Sequence, residues 1–144
     1  MFGHATTPYD AIAQIEAAAE RQYRQYGIRV FIVGNRGNFD YRSATAIKHL
    51  KQKYTDISLL LLLNYHPAER PVHLPEGFDN SYYPPLGKVP RQYAIVRANK
   101  YMIDTADSII CYVKHIGNSR NLLEYAVLRQ RKEGIIIENV AENS

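Results

Sequence analysis

Seven residues, Ile57 to Leu63, constrain the fold more than any other stretch. Apart from Ser58 they are all isoleucine or leucine. A strand with one wet face alternates apolar and polar side chains, whereas a continuous apolar run marks a strand covered on both faces. Other strand-sized runs stand at Ile28 to Val33, Ser108 to Val113 and Ile135 to Asn139, and Met1-Phe2-Gly3-His4 reads as the stub of a first strand. Between them lie helical patterns. One spans about 10–26, with Ile12, Ile15, Ala19 and Tyr23 on one face and Gly27 as its stop. A second spans 41–54, with Ala44, Ile47 and Leu50 inward. A third spans 91–106, with Ile95, Ala98, Met102 and Ala106 inward, and a fourth runs over 119–133 to Gly134. This alternation predicts an α/β domain, a three-layer sandwich whose mostly parallel sheet of about five strands carries helices on both faces. A central strand reduced to Met1-Phe2-Gly3 would offer few ladder bonds, so the coding start is expected to lie upstream of Met1.

Two strand-to-helix junctions carry the functional expectation. Gly34-Asn35-Arg36-Gly37-Asn38-Phe39-Asp40 follows the strand Ile28 to Val33. Gly117-Asn118-Ser119-Arg120-Asn121, with Glu124 beyond it, follows the strand Ser108 to Val113. Glycine turns of this kind leave backbone N–H groups free at a helix N-terminus, a setting that suits phosphate. Two of them in one small chain predict a shared nucleotide-sized site at the carboxyl edge of the sheet, although each glycine alone can serve conformation only.

Composition narrows the classes. With 144 residues, 46% hydrophobic and 22% charged, the chain suits one soluble domain. No apolar run is long enough to span a membrane and no signal-peptide pattern is seen, so a cytoplasmic location with no membrane partner is expected. The single cysteine, Cys111, lies in an apolar strand pattern and reads as a small buried hydrophobe. His4, His49, His66, His73 and His115 are scattered, without metal-ligand spacing, and no cofactor is called for. A net charge of +4 suits anionic ligands but falls short of a dedicated nucleic-acid binder. The segment Asn64 to Val89 holds five of the seven prolines and no periodicity, and long loops of this kind are often functional. Together with tyrosines on the helix patterns (Tyr23, Tyr54, Tyr93, Tyr101), its Tyr82-Tyr83-Pro84-Pro85 stretch suggests the surface of a homo-oligomer, a dimer or larger.

Phe2-Gly3-His4, the Gly34 to Asp40 turn, Arg97-Ala98-Asn99-Lys100-Tyr101-Met102-Ile103-Asp104 and Gly117-Asn118-Ser119-Arg120-Asn121 with Glu124 occur in this order. The set resembles small bacterial proteins of the SLOG superfamily, a Rossmann-like group that includes the lonely-guy phosphoribohydrolases and DNA-processing protein A. The resemblance covers nearly the whole chain and implies a Rossmann-like fold holding a nucleotide or nucleotide-derived ligand. The lonely-guy motif has two glycines, any residue, a glycine, a threonine, two residues and a glutamate. Gly117 stands at its first glycine, Asn121 at its threonine and Glu124 at its glutamate. The resemblance implies a catalytic pair of Glu124 with Arg97, the latter one position out of register. Asn118 and Arg120 replace the other two glycines, placing Cβ atoms where the family's backbone approaches phosphate.

The candidate ligand-binding residues are therefore Gly3, His4, Gly34, Asn35, Arg36, Gly37, Asn38, Phe39, Asn99, Gly117, Asn118, Ser119, Arg120 and Asn121. The candidate catalytic residues are Glu124 and Arg97. Several have ordinary structural explanations. A carboxylate in a helix's first turn, as at Glu124, is favoured by the macrodipole whatever its function. Asp40 reads as an N-cap, His4 as a hydrogen-bonded structural histidine, and Arg97 as a solvated charge. Arg36, between two glycines in an exposed turn, has the weakest such explanation and reads as a phosphate or carboxylate contact. Binding of a nucleotide or nucleotide-sugar is the leading reading. The alternative is an N-glycoside-cleaving enzyme, phosphoribohydrolase-like or deoxyribosyltransferase-like. Single-stranded DNA binding ranks last, because no dense basic run supports it.

Overall fold

A computed structural model describes residues 1–143. The chain runs β1 (Phe2–Gly3), α1 (Ala11–Tyr26), β2 (Val30–Val33), α2 (Asn38–Lys53), β3 (Ser58–Leu62), β4 (Asn80–Tyr82), α3 (Arg91–Thr105), β5 (Ser108–Tyr112), α4 (Asn118–Glu133) and β6 (Ile136–Asn139), closing on a 3₁₀ turn, Val140–Asn143. Strands and helices alternate as the apolar runs predict, except that β4 follows β3 with no helix between them. Gly27 and Gly134 end α1 and α4 in the left-handed region, at φ 71° and 70°, where a side chain would be strained.

The strands differ from expectation in number and grouping. Among the described residues, six strands form two parallel sheets of three, in the orders β1-β5-β6 and β2-β3-β4, rather than one sheet of about five. The division follows from the brevity of β1. Its two residues pair with Cys111 and Tyr112 of β5, and towards β2 only the Met1 ammonium reaches across, donating to the Ile32 carbonyl at 3.3 Å. The additional strand is β4, inside the proline-rich segment. Its sequence, Asn-Ser-Tyr, has no apolar signature; it is held beside β3 by the parallel ladder, to which the adjacent Asp79 adds side-chain bonds. That carboxylate accepts the Leu59 N–H at 2.8 Å and the Lys51 ammonium at 2.6 Å, and the two bonds hold its pKa below the usual range.

Side-chain alternation along β5 separates two cores. Ile110 and Tyr112 pack with α1 and α2 residues such as Ile15, Ala19, Ile47 and Leu50. Ile109, Cys111 and Val113 pack with Ile103 of α3 and Leu122 and Ala126 of α4. The Cys111 thiol is fully buried, and desolvation pushes its pKa up to about 12, which makes it an inert core atom. Among the tyrosines, Tyr23 and Tyr54 pack on each other at 4.4 Å and Tyr23 donates to Asp56. Tyr82 and Tyr83 are half-buried, Pro84 is fully buried and Pro85 is exposed.

Candidate functional site

Both glycine turns open at the carboxyl ends of their strands, β2 and β5, and both line one cleft of about 490 Å³, a volume typical of small-ligand sites. From the first turn come Gly34, Asn35, Arg36 and Gly37, with the buried Phe39 beneath them. Gly117, Asn118 and Ser119 come from the second. Gly3 and His4 at the end of β1 and Asn99 on α3 complete the set that the sequence places here.

The two turns are not equivalent. Helix α2 begins at Asn38, earlier than its periodicity suggests, with Gly37 rather than Asp40 as its N-cap. Asp40 sits in the first turn and reaches back, its carboxylate accepting the Arg36 N–H at 2.9 Å. A Cβ on Gly34 would lie 3.0 Å from that carboxylate oxygen, and one on Gly37 would lie 2.9 Å from the Ala5 Cα. The first pair of glycines therefore lets the chain fold tightly on itself, and a negative charge already occupies this end of the cleft. The Asn38 N–H is likewise taken, by the Ala5 carbonyl.

At α4 the situation is reversed. The helix starts at Asn118 with no acid in its first turn and no side-chain cap on its N-terminal N–H groups. The first intrahelical bond at this end runs from the Asn121 N–H to the Gly117 carbonyl, so the amides of Asn118, Ser119 and Arg120 keep the positive end of the dipole open. Gly117 adopts φ 154°, a conformation unfavourable to other residues, although a Cβ there would meet nothing.

His4 is buried, with a fixed role. Its Nε2 accepts two backbone N–H bonds, from Lys114 at 2.8 Å and His115 at 3.2 Å. A nitrogen accepting two bonds carries no proton, so the neutral ring bears its hydrogen on Nδ1. Burial lowers the His4 pKa, and the His115 ring stacked at 3.7 Å lowers it further. The histidine thus ties the end of β1 to the second turn, and the residue lines the cleft. The Arg36 side chain is exposed and has no hydrogen bond or ion pair among the described residues. Asn99 donates its amide N–H to the Ile95 carbonyl of its own helix at 3.1 Å.

Arg97 and Glu124 are not brought to the cleft. Arg97 is exposed on α3. Glu124 has a side chain 68% exposed, pairs with Arg120 at 3.7 Å and faces a separate groove formed with Leu128 and Arg131. Arg120 lines that same groove, and neither Asn121 nor Asn38 lines the cleft. Four polar cleft residues escaped the sequence-based list: Thr6, Asp40, Asn64 and His115. Asn64 carried a usable signal, since a polar residue directly after the leucines of β3 occupies the same sheet edge as Gly34 after β2.

No protein-family model matches the sequence, and comparison with curated proteins finds no similar one.

Proposed function

We propose that the chain binds a nucleotide or nucleotide derivative in the cleft between the two turns, on a Rossmann-like domain of the SLOG type. One observation carries this reading. A single cleft of about 490 Å³ joins an uncapped helix N-terminus, an unpaired Arg36 guanidinium, the His4 residue and the Asp40 carboxylate. These groups suit the two ends of a nucleotide. The phosphate lies at the N-terminus of α4, where amides and dipole favour an anion, and Arg36 can close on it. Ribose hydroxyls lie towards Asp40, whose carboxylate accepts hydrogen bonds and repels phosphate. The apolar wall of Ile95, Ala98 and Leu122 supplies contact area for a base. Glycoside cleavage is the weaker reading, because Glu124 and Arg97 stand away from the cleft.

Calorimetric titration with nucleoside monophosphates, alongside the parent nucleosides, tests the proposal. Arg36→Ala is expected to weaken monophosphate binding by about ten- to a hundredfold, the loss of one charge-assisted contact. Equal affinity of the variant and the unmutated protein would remove Arg36 from the site, and no binding of any nucleotide would overturn the reading.

A further inference from the structure

A groove of about 1340 Å³ lies beside the nucleotide cleft, larger than the pockets that single small ligands usually fill. Its walls are two segments that leave the carboxyl ends of neighbouring strands, 64–70 after β3 and 83–90 after β4, together with the first turn of α3. The groove therefore continues the ligand-binding edge of the sheet beyond β2. Arg36, Asn64 and Ile95 line both cavities, so the two adjoin along that wall.

The chemistry of this groove differs from that of an ordinary solvated surface. Arg36, Arg70, Lys88 and Arg91 line it, with Glu69 the single carboxylate among the described lining residues. The side chains of Arg36, Lys88 and Arg91 are exposed and have no hydrogen bond or ion pair among the described residues. On α2 and α4, by contrast, Lys53 faces Glu20 and Arg129 faces Glu133. The Arg70 guanidinium lies 3.9 Å from the centre of the Tyr65 ring. A guanidinium held on an aromatic face keeps its in-plane N–H groups available for oxygen acceptors. His66 and Tyr83 meet edge to face at 5.3 Å, which joins the two segments. Like charges gathered around one carboxylate repel one another, and an anion between them relieves that repulsion. Tyr83, Leu86 and Val89 add half-buried apolar surface, which phosphate alone does not use.

We propose that the groove holds a second, phosphate-linked nucleoside unit of the ligand whose first unit occupies the cleft. The ligand class is then a dinucleotide, joined by a pyrophosphate or a phosphodiester. This rests on the nucleotide reading of the cleft and adds the direction in which the ligand extends. Arg36, on the shared wall, stands at the linking phosphate. Arg70, Lys88 and Arg91 face the charge beyond it, and the surface at Leu86 and Val89 receives the second base. Four cations suit the few charges of a linked pair, fewer than the phosphate contacts that a strand-binding surface makes.

The test is calorimetric titration of the whole chain. Nucleoside monophosphates of the common bases are compared with their pyrophosphate-linked and phosphodiester-linked homodinucleotides, and with single strands of about ten nucleotides. One dinucleotide linkage is expected to bind about tenfold tighter than its monophosphate, or more, and the preferred linkage identifies the ligand's chemistry. Lys88→Ala combined with Arg91→Ala removes two exposed side chains that hold nothing in the fold. The double variant should erase that gain, keep monophosphate affinity within about twofold and leave Tm unchanged. Dinucleotides no tighter than monophosphates, or a double variant that keeps the gain or weakens both ligands alike, would overturn this inference while the nucleotide reading stands. Absence of binding by every nucleotide would overturn both. A single strand that binds about tenfold tighter than the best dinucleotide would overturn it in favour of nucleic acid.

Discussion

Placing a carboxylate in the first turn of α4 separates the needs of the fold from those of the ligand. Ser119 is half-buried in that turn and lines the cleft, beside N–H groups that no side chain caps. Ser119→Asp puts a negative charge at the positive end of the dipole, worth about 0.3–1 kcal/mol to the folded state. In a chain of this size that raises Tm by about 1–3 °C. For a bound phosphate the sign is opposite. Two like charges about 4 Å apart repel by ~1 kcal/mol in water and ~4 kcal/mol at the effective dielectric of a protein surface. The cleft is open to solvent, so the expected loss for a nucleoside monophosphate is about 1–3 kcal/mol, roughly five- to 150-fold. The parent nucleoside, lacking phosphate, should lose less than about threefold. Differential scanning fluorimetry gives the first quantity and paired titrations the second. A variant that loses nucleoside and nucleotide equally, or that binds the nucleotide unimpaired, would refute the orientation with phosphate on α4.

The other predictions concern packing, protonation and chemistry. Gly3→Ala sets a Cβ 2.6 Å from the buried Phe39 ring, so the ring must move, and a loss of about 1–3 kcal/mol, roughly 3–10 °C in Tm, is expected from thermal unfolding. His4 is neutral in the fold and its pKa is lowered. The unfolded chain therefore takes up a proton there before the native state does, and stability is full above about pH 6.5 and falls on acidification below it. Unfolding curves between pH 8 and 5 should show a shallower decline for His4→Gln than for the unmutated protein, and parallel declines would contradict the assignment. Glu124→Gln should leave nucleotide affinity within about twofold, as for a surface substitution, and the unmutated protein should release no free base from nucleoside monophosphates on chromatography. Base release abolished by that substitution would restore the enzyme reading.

The regular part of the fold was visible in the sequence because each element carries its own period. The leucines of β3, the apolar stripes of the four helices and the stopping glycines at 27 and 134 needed no tertiary knowledge. What the sequence hid depends on partners distant along the chain. β4 pairs with β3 over three residues, next to an Asp79 that bonds Leu59 and Lys51, which no local pattern announces. Phe39 looked like part of an exposed turn until β1 was laid across it. Both turns were recognisable as a pair, yet their different electrostatics were not, since these rest on one side chain, Asp40, folding back on Arg36 rather than facing outward. Glu124 shows the converse: spacing to a glycine turn places a residue on a helix, but the face it occupies depends on how that helix rolls against its neighbours.

The buried thiol of Cys111 has a practical consequence. It is the chain's single cysteine, it lies between β1 and β6, and at neutral pH almost none of it is thiolate. A thiol reagent can reach it only when that sheet opens, so the speed of modification reports how often the strands part, with no engineered probe. Strand dissociation confined to β1 would speed labelling without changing the melting temperature, whereas opening coupled to global unfolding would make the two move together.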